Sequence, residues 1–255
     1  MERDISYFRA LAASSPAQLT LELLRPLIEG YCKELPLVSL IIGGNERRLP
    51  LELCELSQKV LCIGTTSDSV RPDPHLEYVN VSPEKTYLAN SAAELVLWLE
   101  PSGSIASASE LYRVLADGGL AAAISADALP VCSARAEASA ARFLRIVDRL
   151  MKMSGLPDTA SLSPLISFDQ ERDLMRTVHL SQTAAFSAED FVGAVANDPA
   201  VRYCMDAYPE LMQLHLNELL RDTERIFSGD TRTGYICFTA ELAVKNFFLG
   251  ERFSI

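Results

Sequence analysis

The sequence has no apolar run long enough to span a membrane, no C-x-x-C pair and no excess of basic residues. Each absence removes a class of protein. Lys and Arg number 23 against 34 Asp and Glu, giving a net charge of −11 and a pI near 4.8. Nucleic acid and anionic membrane surfaces both require concentrated positive charge, so neither is an expected partner. The opening stretch "MERDISYFRALAASS" carries charges where a secretory signal needs an apolar core. A cytoplasmic or otherwise intracellular location is therefore expected.

Cys32, Cys54, Cys62, Cys132, Cys204 and Cys237 are scattered, mostly inside apolar stretches such as Val60 to Ile63. They read as buried thiols of a reducing compartment rather than as disulfides. His75, His179 and His215 lack H-x-x-x-H or Cys partners at ligand spacing. His215 and Glu218, one helical turn apart, are better explained as a solvated helix face than as a metal edge, so no metal is expected. There is no G-x-S-x-G elbow and no P-loop, which leaves hydrolase and NTPase readings without support. Neither an internal repeat nor a low-complexity tract is present.

What is present is alternation of short apolar runs with helical periodicity. A chain of 255 residues is long enough to bury a substantial core. Ser14-Ser15-Pro16 followed by Leu19, Leu23, Leu24, Leu27 and Ile28 predicts a helix that Pro26 kinks. Leu37 to Ile42 predicts a buried strand ending in Gly43-Gly44. A helix is expected over Leu49 to Leu56, a strand over Lys59 to Ile63, and a loop over Ser67 to Glu77. Strands follow at Tyr78 to Val81 and Glu94 to Leu99. Ser107 to Leu115 predicts a helix and Leu120 to Ser125 a fifth strand. Strands apolar on both faces and separated by helices imply a parallel sheet covered on both sides, a doubly wound α/β architecture.

Beyond Ser125 the texture changes. Ala134 to Met153 predicts one long helix, and Met205 to Phe227 another. Ser187, with Glu189 and Asp190 behind it, marks a helix start. Arg172 to Leu180 alternates as a strand, and Thr233 to Phe247 has the β-branched and aromatic bias of a closing one. Trp98 is expected to be a core or pocket-lining aromatic.

Several of these segments carry a family resemblance. Arg113-Val-Leu-Ala-Asp-Gly-Gly119, followed by "LAAAIS", resembles the "RVL-x-P-G-G" turn and fifth strand of class I S-adenosylmethionine-dependent methyltransferases. Ala93 to Val96 is similar to the family's "FDLV" fourth strand. Arg47 to Thr66, "RRLPLELCELSQKVLCIGTT", lines up without a gap with "GRLTLALAERGARVTGIDIS". Phe186 to Phe191 and the late helices resemble the additions found in small-molecule O-methyltransferases. The resemblance implies a Rossmann-like, seven-stranded, mostly parallel sheet whose last strand is antiparallel. It implies one methyltransferase-like domain over 1–255: a cofactor-type half at 1–128, a helical cap or insertion at 129–232, and a closing strand and tail at 233–255. Residues from about Pro130 to Ala200 are expected to lie over the carboxyl ends of the strands.

The departures from the family pattern concentrate where the cofactor binds. Ile41 takes the place of the first-strand acid, and Gly43, Asn45 and Arg47 stand at the three glycine positions. Gly64 stands where an acid grips the ribose hydroxyls, and Ser82 where an acid accepts from the adenine amine. The cofactor positions are thus Gly43, Gly44, Asn45, Gly64 and Ser82, read as vestigial. One charged hydrogen bond contributes roughly 1.5–3 kcal/mol, or about tenfold to a hundredfold in affinity. The favoured expectation is accordingly a fold that has lost S-adenosylmethionine, with no cofactor. Such a protein would act as a partner or scaffold for itself or for a related active methyltransferase, or as a repurposed catalyst, with an apolar patch contributed by Ala134 to Met153 and Met205 to Phe227. The alternative is an active O-methyltransferase for a small acid or polyketide-like metabolite. Catalytic residues are not legible, because orienting the acceptor against the methyl group carries most of the rate.

Overall fold

Leu40, Ile41 and Ile42 are all buried, so the first strand is covered on both faces as a central parallel strand must be. The computed structural model describes residues 2–14, 19–32, 34–43, 48–64, 73–99, 104–127, 129–154 and 163–248. In chain order these form α1 (Ile5–Ala13), α2 (Leu21–Tyr31), β1 (Val38–Ile42), α3 (Arg48–Leu53) and β2 (Lys59–Ile63). Next come β3 (Leu76–Val79), β4 (Ala93–Leu99), α4 (Ile105–Val114), β5 (Leu115–Ala126) and α5 (Ala134–Met153). The last are β6 (Leu174–Phe186), α6 (Ala188–Ala196), α7 (Pro199–Ala207), α8 (Pro209–Phe227) and β7 (Arg232–Val244).

The seven strands make one sheet in the order β3-β2-β1-β4-β5-β7-β6. Ile41 registers with Cys62 on one side and Leu97 on the other, and the pairs β1–β2, β1–β4, β2–β3 and β4–β5 are all parallel. β7 runs the other way. The Gly118 N–H donates to Lys245 O at 2.7 Å and the Asp127 N–H to Cys237 O at 2.9 Å, so β5 numbers rise as β7 numbers fall. A Rossmann-like, mostly parallel sheet with helices is therefore established.

The chain divides into two compact units, Leu19–Ser125 with Ser161–Leu180 and Thr239–Ile255, and Met1–Gln18 with Ala126–Ala160 and Ser181–Phe238. In the first, Leu40, Ile42, Ile63, Val96, Trp98, Leu111, Ala123 and Phe168 form one apolar cluster, so Trp98 is a core residue. The second holds α1, α5, α6, α7 and α8 together with one end each of β6 and β7. Ser187 and Asp190 cap α6 reciprocally, as the sequence pattern predicts. Gly193 lets α6 meet α1 closely, since a Cβ there would stand 2.7 Å from Leu11 O. Asn217 of α8 accepts from the Arg3 N–H at 2.8 Å and donates to Arg3 O at 2.7 Å. α5 and α8 bury Phe143, Val147, Leu216 and Leu220 while exposing Met153, Leu211 and Leu214.

Several elements differ from expectation. α2 starts at Leu21 with Thr20 at its N-cap, and Ser14 instead closes α1. β5 begins at Leu115 rather than Leu120, and β6 runs Leu174–Phe186 rather than Arg172 to Leu180. The expected helix Met205 to Phe227 is two helices, because Pro209 has no N–H to continue the first and instead opens the second. β3 begins at Leu76 rather than Tyr78, drawn by pairing with Val60 of β2. The helix α1 was not anticipated; Asp4 caps it by accepting from the Tyr7 N–H at 2.9 Å.

Candidate active site at the strand ends

At β1 the strand order reverses: its chain neighbour β2 lies on one side and β4 on the other. Ligands of open α/β sheets bind outside the carboxyl ends of the strands at this switch point. Gly43 leaves β1 there with φ +74°, and its N–H donates to Ile63 O at 3.2 Å. A Cβ at Gly43 would stand 2.7 Å from Leu99 O at the end of β4. Only glycine combines that positive φ with that approach. Gly64, one residue past β2, also has a positive φ of +77°, but among the described residues a Cβ there would meet nothing within 4 Å. The first glycine is packed against backbone, and the second has no described neighbour at its Cβ position.

Ser82 lies just beyond β3, and its hydroxyl is exposed. It accepts from the Glu84 N–H at 3.2 Å, while the Lys85 N–H donates to Ser82 O at 3.0 Å. The chain then runs along α4, bonded to it at three levels. The Ser104 hydroxyl at the α4 N-cap donates to Glu84 Oε1 at 2.7 Å. Glu110 Oε1 accepts from the Thr86 N–H at 2.8 Å and the Thr86 hydroxyl at 2.6 Å. Arg113 Nη1 donates to Asn90 Oδ1 at 2.7 Å, and the Ser91 N–H to Arg113 O at 3.0 Å. This strap fixes the Ser82 turn relative to α4. Nothing in hydrophobic periodicity reveals it, although Glu110 and Arg113 one turn apart are a visible pair.

Arg113 and then Thr86 hold the Glu110 carboxyl down at about 2, from an ordinary 4.5, against the opposing effect of burial. A depressed carboxylate stabilises the fold fully above pH 4.5, and that contribution disappears as pH falls from 4.5 toward 2. Its size is about 3 kcal/mol at most. Urea midpoints for wild type and Glu110→Gln should therefore differ at pH 6 and converge across that window. A difference that stays constant with pH would remove the carboxylate's charge from the account.

Ile41 is buried, so the position of the family's first acid belongs to the core. Gly44, Asn45 and Arg47 lie outside the described residues. All six cysteines are free thiols. Burial pushes Cys62 up to about 12 and Cys32 and Cys132 to about 11, which keeps them protonated. The histidines lie apart: His75 Nδ1 is 2.8 Å from Gln58 O, His179 Nδ1 3.3 Å from Thr239 Oγ1, and His215 Nδ1 3.1 Å from Glu218 Oε2. Among the described residues no group of three or more His, Cys, Asp or Glu side chains is placed to hold a metal, and no helix is long and apolar enough to cross a membrane.

No family model and no curated protein matches the sequence. Solved structures do match. A protein from Anaeromyxobacter dehalogenans, provisionally named a type II methyltransferase, aligns over 96% of this chain and 97% of its own, with TM-score 0.57 and 15% identity. A protein of Anabaena variabilis, provisionally named a methyltransferase from an antibiotic biosynthesis pathway, aligns over 87% and 97% with TM-score 0.53 and 13% identity. A looser match, TM-score 0.45 at 13% identity over 94% of this chain and 56% of its own, is an N-methyltransferase of Haemonchus contortus solved with phosphomonomethylethanolamine and S-adenosylhomocysteine. The chain thus has the fold of the class I S-adenosylmethionine-dependent methyltransferases, as the sequence resemblance implied.

The favoured expectation of no cofactor is corrected by these matches. The first two structures are named for methyl transfer, and the shared fold points to S-adenosylmethionine. The described residues fit such a group: a glycine turn at the switch point, a Cβ position at Gly64 with no described atom within 4 Å, and an exposed Ser82.

Proposed function

We propose that this protein is an S-adenosylmethionine-dependent methyltransferase acting on a small molecule, with an oxygen of a small acid or polyketide-like metabolite as acceptor. The observation that carries the reading is the pair of positive-φ glycines, Gly43 and Gly64, at the carboxyl ends of adjacent strands beside the switch point. In this reading the Gly43 turn brings backbone against the amino-acid end of the cofactor, and Gly64 and Ser82 border its nucleoside. When bound, the cofactor supplies an electrophilic sulfonium methyl group. The chain's own task is orientation, which needs no dedicated base for an acceptor that ionises readily. The six free thiols accord with action in a reducing, intracellular compartment.

Titration calorimetry with S-adenosylmethionine tests this directly. The expected result is saturable one-to-one binding with Kd in the micromolar range, about −8 kcal/mol or weaker, competed by S-adenosylhomocysteine. No heat and no competition at millimolar cofactor would overturn the reading.

A further inference from the structure

We infer that this site recognises the nucleoside of its cofactor leniently, accepting a 2′-deoxyribose and a 6-oxopurine nearly as well as adenosine. The inference rests on the methyltransferase reading above and deepens it. Two observations carry it, one for the sugar and one for the base.

The first is Gly64. At the end of β2 no described atom stands within 4 Å of its Cβ position. A carboxylate projecting from such a position after the second strand is what holds ribose hydroxyls in dinucleotide-type sites. Glycine can bring no side-chain acceptor, so removing a ribose hydroxyl leaves no buried partner of residue 64 unpaired. Residue 64 then contributes nothing to the penalty that normally makes a hydrogen-bonding site reject an analogue lacking the group.

The second is Ser82. One lone pair of its hydroxyl is used by the Glu84 N–H at 3.2 Å, which leaves one lone pair and the hydroxyl proton. A rotating hydroxyl can therefore accept from an exocyclic amine or donate to a keto oxygen. A carboxylate can do only the first and repels the second. The turn itself is fixed by the Lys85 N–H on Ser82 O and by the Ser104–Glu84 bond. The same hydroxyl is thus presented to either base without any rearrangement of the backbone.

The test is displacement calorimetry with three probes: S-adenosylhomocysteine, its 2′-deoxyadenosyl counterpart and S-inosylhomocysteine. Both analogues should bind within about threefold of the parent compound, whereas a lost charged contact would cost tenfold to a hundredfold. Ser82→Asp should restore discrimination against the inosyl probe by about tenfold, and Gly64→Asp should do the same against the deoxy probe. The exposed Ser82 position keeps the test usable if Gly64→Asp, at a positive φ, fails to fold. Parent binding with tenfold or greater loss of either analogue in wild type would overturn the inference while leaving methyl transfer intact. Failure of the parent compound to bind would overturn methyl transfer itself, and this inference with it.

Discussion

Gly43→Ala is expected to destabilise the protein by about 2–4 kcal/mol and to abolish measurable S-adenosylmethionine binding. Two effects add. An L-residue at φ +74° carries backbone strain of roughly 1 kcal/mol. The new Cβ would also stand 2.7 Å from Leu99 O, and that oxygen is backbone in a buried central strand rather than the end of a flexible side chain. Either the β1 exit or the β4 exit must therefore shift, at the switch point where the cofactor is proposed to sit. Gly64→Ala supplies the control. It has nearly the same φ, +77°, but no described atom within 4 Å of the Cβ, so only the strain of about 1 kcal/mol should appear. Chemical denaturation with an unchanged slope reads both values. Equal losses for the two variants would show that the Leu99 contact does not matter.

How much of this was legible in the sequence depends on the range of the interaction. β2 and α5 have the bounds read from apolar runs and helical periodicity, because those signals are local. α1 has a local signal too, Asp4 at the cap with Phe8 and Ala12 buried one turn apart, but a stretch weighed only as a possible signal peptide conceals it. The break between α7 and α8 is written in Pro209, yet the apolar spacing of Leu211, Leu214 and Leu220 reads as one helix running back across it. The strap from Ser82 to Ser91 joins groups 20 to 24 residues apart, through side chains and a backbone N–H, so no pattern of spacing announces it.

The site divides the same way. Gly43 and Gly64 are visible in the sequence as glycines at strand ends. What the sequence could not supply is their different surroundings, one packed on Leu99 O and the other with no described neighbour at its Cβ position. A lost cofactor follows from the sequence when Gly64 and Ser82 are taken as lost carboxylates and Arg47, which lies outside the described residues, as bulk at a glycine position. The backbone turn at Gly43, where the cofactor is proposed to sit, is the part that side-chain matching cannot weigh.

Lys245→Met should cost about 3–5 kcal/mol of stability without changing cofactor affinity. Lys245, at 7% exposure, follows β7 directly. Its Nζ donates to Leu115 O at 2.7 Å and to Tyr112 O at 2.9 Å, lies 3.6 Å from Asp117 Oδ1, and sits 4.7 Å from the centre of the Tyr112 ring. Tyr112 O and Leu115 O are carbonyls at the carboxyl end of α4, which otherwise lack helical donors and carry the negative end of its dipole. The ammonium therefore caps the helix from a distant strand. Methionine keeps the length and the apolar stem but leaves two carbonyls unsatisfied at about 1–3 kcal/mol each. The exposed pair Lys59–Glu77, 2.7 Å apart with both side chains about half exposed, is the comparison. Lys59→Met should cost less than about 1 kcal/mol, and that cost should vanish in high salt while the Lys245 effect persists. Antiparallel β7 brings Lys245 to the amino end of β5, as the Gly118 and Gly119 bonds show, and the glycine turns lie at the carboxyl ends of the parallel strands. Calorimetry on folded Lys245→Met should accordingly return the wild-type Kd. A loss below about 1 kcal/mol, or one abolished by salt, would mean the carbonyls find other donors and the cap contributes little.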